Sequence, residues 1–409
     1  MKILYDHQTF TIQKFGGVSR YFAELFKSYQ QMPQVQMTCA VRYSDNAYLQ
    51  HCDGVSLRPI DIAAQDAWLG GMDFIGKNYL YTTKEWLGHH YRHTGKRLGW
   101  KILRAPLKEA KDLNRSYAEA LLNAGDFDLF HPTYYDPYFL HHLGNKPFVM
   151  TIYDMIHEVF PEYFIFTVDR DISTQKKRLC EAATKIIAIS EHTKNDLIRF
   201  FQIEPEKIEV IYLGNSLQCV KQQNELLSIR EHLPEKYLLF TGNRLAYKNF
   251  YFFVRAIARI LHDDKELKLV SAGKKFSSKE VLFLRGIGVE EQVIRFDADD
   301  AMLSALYRHA QAFVFPSLYE GFGLPVLEAF ANGCPAILSN TSSLPEIGGD
   351  AALYFDPKNI DSIQETVMSV LEHHELRTTL TQRGYERIKL FSWDDTVQKT
   401  FAVYRAAIA

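Results

Sequence analysis

The sequence predicts an α/β protein made of two doubly wound, Rossmann-like parallel sheets, and three observations carry that expectation. Its 409 residues are enough for two or three domains. Its second half alternates short β-branched or aromatic runs with segments of helical period. Its first half repeats the alternation more loosely. Strands and helices that alternate in this way assemble as right-handed βαβ units, which close into a parallel sheet. The composition agrees, since 47% hydrophobic and 23% charged residues are the proportions of a globular chain and not of a disordered or fibrous one.

The chain opens with the strand MKILYD (1–6), the glycine pair Gly16–Gly17, and a helix whose Val18, Tyr21, Phe22, Leu25, Phe26 and Tyr29 share one face. Further strands are QMTCAV, DLFHP, FVMTIYD, KIIAIS and IEVIYL. From about 62 to 124 the alternation breaks off, and Trp68, Trp86, Trp100 and many tyrosines stand among Lys and Arg; this stretch reads as a helical insertion. The polar, glycine-poor segment 216–236 reads as a linker. After it come strands at 237–242, 267–273, 293–296, 312–317, 335–340 and 352–356. The helix behind the first of these places Phe250, Phe253, Val254, Ile257 and Leu261 on one face. From Ser392 a capping pattern opens a last helix with Val397, Phe401 and Tyr404 on one side. The expected division is therefore 1–215, with its insertion, then 216–391, then a helix over 392–409 that packs back toward the first domain.

Several function classes are excluded at once. Lys+Arg 47 against Asp+Glu 49 is too balanced for a surface that embraces nucleic acid. The five cysteines, Cys39, Cys52, Cys180, Cys219 and Cys334, include no CxxC pair, so neither a disulfide framework nor a zinc site is indicated. The apolar run before Asp6 is too short for a signal peptide, and no run of 18 apolar residues could span a membrane. A reducing cytoplasm is the expected compartment.

In open α/β sheets ligands bind beyond the carboxyl ends of the strands, so the loops that follow strands are where chemistry is sought. FGGVSRY (15–21) would let backbone approach a ligand at a helix start, although for a glycine pair alone a flexible turn is the better explanation. NRLAYKN (243–249) puts Arg244 and Lys248 in one loop at a helix N-terminus, a cradle for a diphosphate or simply two solvated cations. LYEGFGLPVLEAFANGCP (318–335) places Glu320 in a loop with Gly321 and Gly323, and Glu328 early in the helix begun near Pro325. One such glutamate could merely complement the helix dipole. Two flanking a Gly-x-Gly loop can aim at one crevice. In FDADD (296–300), Asp297 and Asp299 imitate a metal-binding DxD pattern, but a helix N-cap is the better explanation.

The segment FPSLYEGFGLPVLEA resembles the signature of glycosyltransferase family 4, retaining enzymes of the GT-B fold. GGVSRY, TIYDMIHEVFPE, IAISEHTKNDL, GNRLAYKN and the FSWDDT helix have counterparts in the same order, and only the insertion lies outside the likeness. The resemblance implies two Rossmann-like domains facing an interdomain cleft and a nucleotide-sugar donor. It implies Glu328 on the ribose, Glu320 on the hexose, and the backbone of Gly321, Phe322, Gly323 and Leu324 along sugar and diphosphate. Lys248 and Arg244 would lie on the phosphates, with Gly16 and Gly17 closing from the other domain. Where many members have His followed by Asp, this chain has Tyr153 followed by Asp154.

The expected activity is a retaining, metal-independent hexosyl transfer from a UDP- or GDP-sugar to a saccharide or lipid-linked saccharide, in cell-surface polysaccharide synthesis. Glu320, Asp154, Lys248 and Arg244 are the expected catalytic set, and Tyr153, His131 and Arg20 are expected in the sugar or acceptor pocket. For His131, a histidine that caps a strand end is the competing explanation. Neither a metal nor a cofactor is expected. The cations of the insertion, among them Lys77, Lys84, Arg92, Lys96, Arg97, Lys101, Arg104, Lys108, Lys111 and Arg115, suit a lipid-linked acceptor or peripheral contact with the inner face of the plasma membrane; a solvated helical hairpin suits them as well. Two other functions compete: an inert nucleotide-sugar-binding subunit of an assembly complex, and a GT-B epimerase or hydrolase.

Overall fold

Residues 237–355 contain the alternation at its most regular, and the computed structural model folds them as six parallel strands. These are β7 (Tyr237–Thr241), β8 (Lys268–Ala272), β9 (Val293–Phe296), β10 (Ala312–Phe315), β11 (Ala336–Ser339) and β12 (Ala352–Phe355), and they lie in the order β12-β11-β10-β7-β8-β9. From β7 the chain winds one way to β8 and β9; from β10 it winds the other way to β11 and β12. Strands covered by helices on both faces must be apolar throughout, and YLLFT and AFVF are buried at every position. The core of this part is hydrocarbon. Leu238, Phe240, Leu269, Val314 and Ile337 of the strands pack with Phe250, Phe253, Val254, Ile257 and Leu261, which is the helix face that the sequence predicted.

The first half begins with β1 (Lys2–Tyr5), β2 (Gln36–Cys39) and β3 (Leu129–His131), in the order β2-β1-β3 with both pairings parallel. Strands β4 (Val149–Ile152), β5 (Lys185–Ala188) and β6 (Ile208–Val210) form another sheet in that order. IEVIYL is thus a strand only over its first three residues.

The structure describes residues 1–14, 16–52, 57–59, 98–164, 171–215 and 230–409. Within the proposed insertion it shows one helix, Leu98–Ala124, while 62–97 lie outside the described residues, as do 216–229 of the proposed linker. The chain divides into two compact units that are not simple halves: Met1–Thr151, Thr174–Ile186 and Phe401–Ala409 make up the first, and Ile152–Ser173 and Ile187–Thr400 the second. The division therefore falls elsewhere than at 215–216. The segment after β4, which contains Tyr153 and Asp154, and the helix Glu191–Phe201 both belong with the second unit.

Candidate functional site

Strands β7 and β10 are neighbours whose following connections diverge, which opens a crevice at their carboxyl ends. Lys248 lies on the loop after β7 and Glu320 on the loop after β10, so the fold alone brings them to this point. A main-chain bond ties the two loops, with the Leu318 N–H donating to the Tyr247 carbonyl at 2.7 Å. Lys248 Nζ donates to Glu320 Oε1 at 2.6 Å, and both side chains are 14% exposed. Burial works against the Lys248 charge, but Glu320, Tyr247 and Asp154 outweigh it and hold its pKa above the usual lysine value. An ammonium beside a carboxylate in such a crevice can bind a phosphate and a sugar hydroxyl respectively.

The loop that carries Glu320 is held from several sides. The Glu320 N–H donates to Ser342 Oγ at 2.9 Å, while Ser343 Oγ donates to the carbonyls of Glu320 (2.9 Å) and Phe322 (2.7 Å). Ser342 itself has φ 54°, a left-handed conformation costly for a residue other than glycine, and it stands at the hinge of this cradle. The Gly321 carbonyl accepts from Ser190 Oγ at 2.7 Å and from Thr193 Oγ1 at 3.3 Å, both on the first turn of Glu191–Phe201 or its cap. Gly321 is needed for space: a Cβ there would fall on the Tyr153 carbonyl oxygen and 2.9 Å from Asp154 Cβ. Gly323 is needed for its φ of 125° at the start of the helix Leu324–Ala331.

Glu328, on that helix, accepts from the Tyr307 hydroxyl at 3.1 Å, so its carboxylate is oriented by a buried phenol of the neighbouring helix. Asp154 Oδ1 accepts from the Ile156 N–H at 3.2 Å, and its charge reaches Lys248, Tyr247 and Tyr319. Tyr153 is buried beside Gly321. Lys248, Glu320, Gly321, Tyr153 and Asp154 thus come together, all within the second unit.

Two expected site residues are placed differently. Arg244 does not join Lys248: its Nε donates to Glu280 at 2.5 Å, Nη1 to Ser271 Oγ at 3.3 Å, and Nη2 to the carbonyls of Lys274 and Lys275 at 2.9 and 3.2 Å. With its side chain only 5% exposed, the guanidinium is spent on the loop after β8 and on Glu280, whose charge the sequence reading had left out of account. His131 does not line a surface. Its ring is fully buried, with Nδ1 2.6 Å from the Tyr404 hydroxyl and Nε2 2.9 Å from Thr151 Oγ1, and burial pushes its pKa down to about 3, so it stays neutral. His131 is the last residue of β3, and both of its ring nitrogens are taken up by hydroxyls.

Gly16, Gly17 and Arg20 belong to the first unit, where Gly16 begins the helix Gly17–Tyr29, its carbonyl accepts from Ser19 Oγ, and Arg20 lies 5.0 Å over the Tyr48 ring. Asp299 caps the next helix by accepting from the Met302 N–H at 2.9 Å, and Asp297 pairs with Arg295 at 2.7 Å. Among the described residues no group of His, Cys, Asp and Glu is arranged to hold a metal, no helix is long and apolar enough to cross a membrane, and Cys39, Cys52, Cys180 and Cys334 form no disulfide. The sequence reading missed Ser342, Ser343, Ser190, Thr193 and Tyr319. The run NTSS after β11 was the one signal for the first pair, since hydroxyl-rich loops at strand ends seldom lack partners.

A family profile described as glycosyl transferases group 1 matches residues 194–387, and one described as glycosyltransferase family 4 matches 79–218. The O-antigen chain mannosyltransferase B of Escherichia coli is 30% identical over 299 residues, which are 71% of this chain and 77% of that protein. The MMP alpha-(1->4)-mannosyltransferase of Mycolicibacterium hassiacum is 28% identical over 57% of either chain. Among solved structures, Anabaena HepE in complex with UDP and glucose superposes with a TM-score of 0.69 at 16% identity, covering 99% of this chain and 100% of that one. WaaG, a glycosyltransferase involved in lipopolysaccharide biosynthesis, does so with 0.67 at 13% identity, covering 99% of each.

Proposed function

We propose, from the premise that the chain belongs to the group 1, family 4 glycosyltransferases and is a transferase of the GT-B fold, that it moves a hexose from a nucleotide-sugar to a saccharide or lipid-linked saccharide in polysaccharide synthesis. One observation carries the proposal: Lys248 and Glu320 meet at the switch point of the sheet, with Gly321 pressed against the Tyr153–Asp154 turn. In this reading Lys248 transfers its bond from Glu320 to the donor diphosphate, and Glu320, thus released, takes the hexose hydroxyls. Glu328 takes the ribose. Two relatives are mannosyltransferases by name, so a mannosyl group is the first donor to try, with UDP-glucose beside it.

The transfer proceeds with retention. The bond from the anomeric carbon to the diphosphate oxygen breaks while the acceptor oxygen bonds the same face, and the acceptor proton passes to the departing diphosphate. Negative charge grows on the leaving group, so Lys248 and the helix start near Asn249 supply most of the stabilisation, without a divalent ion. Tyr153 and Asp154 flank the sugar. Lys108, Lys111 and Arg115 of the Leu98–Ala124 helix are cations that would suit an acceptor carrying phosphate or an anionic membrane face.

The test has two stages. UDP-, GDP- and ADP-sugars are screened by thermal shift, where a donor at a hundredfold excess over Kd adds about 2.7 kcal/mol. Donors that shift the midpoint are then incubated with saccharide and lipid-linked acceptors, and the product is read by mass spectrometry and by the anomeric coupling in NMR. An inverted product overturns retention. Binding of a donor with no transfer to any acceptor favours a nucleotide-sugar-binding subunit, and free sugar released without acceptor favours a hydrolase.

A further inference from the structure

We infer that Tyr319 and Asp196 form a positioning couple that fixes Glu320 in register with the Tyr153–Asp154 turn, an inference that rests on the role given to Glu320 above. Tyr319 is the residue immediately before Glu320, and it is only 3% exposed. Its hydroxyl makes two bonds that run to different parts of the second unit. It accepts the Met155 N–H at 3.2 Å, from the turn that carries Asp154, and it donates to Asp196 Oδ2 at 2.7 Å. That carboxylate oxygen also lies 3.2 Å from His192 Nε2. Asp196 and His192 stand on the helix Glu191–Phe201, the same helix whose first turn holds the Gly321 carbonyl through Ser190 and Thr193.

The phenol therefore closes a small ring of contacts. One side is the covalent run Tyr319–Glu320–Gly321, the second is the helix from Ser190 to Asp196, and the third is the turn Tyr153–Met155 against which Gly321 is packed. Burial first, and then the Asp196 charge, drive the Tyr319 pKa upward, so the hydroxyl keeps the proton it donates. A hydrogen bond from a phenol to a buried carboxylate is among the stronger kinds, and its loss takes the acceptor from the Met155 N–H and leaves Asp196 Oδ2 with His192 alone. A reactive carboxylate must be held to about 0.5 Å, and a misplacement of about 1 Å costs about a hundredfold in rate. Donor affinity is shared by Glu320 with Lys248, Glu328 and the loop amides, so it should fall less than the rate.

Kinetics and amide exchange together test the couple. Tyr319→Phe should lower kcat tenfold to a hundredfold and leave donor KM within about threefold. Asp196→Ala should do the same, Asp196→Asn, which keeps an oxygen acceptor, should recover most of the rate, and the double variant Tyr319→Phe/Asp196→Ala should be no worse than either single one. Hydrogen exchange of the peptide spanning 318–323 should quicken in Tyr319→Phe and Asp196→Ala and remain slow in Asp196→Asn. Exchange requires no turnover, so it reads the couple even if no acceptor is ever found for the wild type. Unchanged exchange in Tyr319→Phe, additive kinetic losses in the double variant, or a KM effect as large as the kcat effect would each overturn the inference.

Discussion

The cluster packed around the six-stranded sheet of the second unit is hydrocarbon, while the core around β1 and β3 of the first is laced with hydroxyl, imidazole and carboxylate groups. In the second unit Phe240, Phe250, Phe253, Val254, Val314 and Ile337 meet in one cluster, and the charged pair Lys248–Glu320 comes after the carboxyl ends of the strands. In the first unit a buried chain runs from the Tyr5 hydroxyl to that of Tyr404 (2.9 Å), on to His131 Nδ1 (2.6 Å), and from His131 Nε2 to Thr151 (2.9 Å). Beside it the buried Asp6 carboxylate accepts from the Thr133 amide (2.8 Å) and hydroxyl (2.6 Å) and from the Gln8 amide (2.7 Å). The contrast separates two uses of polarity. Buried polar groups that satisfy one another fix strands and loops in place, whereas charges set at the edge of a stiff apolar body remain able to change partners. Only the second kind suits a group that must exchange an internal partner for a phosphate.

The sharpest way to break this comparison is Gly321→Ala. A methyl there has no space beside the Tyr153 carbonyl, and the hydrocarbon core below the loop has no reason to yield, so the loop must move as a body. We expect transfer to fall about a hundredfold or more, while the unfolding midpoint changes little. Steady-state kinetics and thermal unfolding of one preparation decide it. A large drop in midpoint with kinetics near wild type would mean that Gly321 supports the body of the unit and not its edge.

Much of this difference was legible in the sequence, and the illegible remainder has a common cause. Strands β7 to β12 show in the apolar runs, and Glu320 and Glu328 show in their relation to two glycines, because both signals lie within a few residues of chain. The pairing of Lys248 with Glu320 crosses 72 residues, that of Arg244 with Glu280 crosses 36, and that of His131 with Tyr404 crosses 273. No periodicity encodes such contacts. Arg244 and Lys248 look alike in NRLAYKN, and only the fold sends one to Glu280 and the other to Glu320. Likewise a histidine at the end of DLFHP reads as exposed or buried with equal ease until the Tyr404 helix is seen to cover it.

A second prediction sharpens the comparison through pH. Burial, and then Lys111, lower the His7 pKa to about 4, and burial lowers that of His131 to about 3, from an unfolded value of 6.5. Above pH 6.5 neither state binds these protons, and the stability gained by keeping the rings neutral is fully present. Below it the unfolded chain takes up protons that the folded one refuses, so stability falls by about 1.4 kcal/mol per pH unit for each histidine, until the folded values are reached. Urea unfolding at pH 7, 6 and 5 should show this, and His131→Gln should remove about half of the part of the slope that His7 and His131 contribute. Comparing wild type with variant cancels the carboxylates, including Asp6, whose burial raises its pKa and works in the opposite sense. Equal slopes in the two proteins would mean that His131 titrates alike in the folded and the unfolded chain.

The smallest effect concerns the acidic run FDADD, which stands on the second unit close to its charged edge and so tests whether every charge there belongs to the site. Asp299 spends its carboxylate on the Met302 N–H at the start of the helix Asp300–His309, and Asp297 is turned to Arg295. Removing the cap in Asp299→Ala should cost about 1 kcal/mol of stability, the usual loss for an N-terminal aspartate, and leave kcat and donor KM within about twofold of wild type. If the pair instead held a divalent ion on the donor diphosphate, the same substitution would abolish donor binding, and excess EDTA would do so in the wild type. Denaturant unfolding measures the first outcome, and donor titration with EDTA or Mn²⁺ measures the second. An ion requirement would put the phosphate partner after β9 instead of at Lys248, and the division between a capped helix start and a working edge would have to be redrawn two strands farther along the sheet.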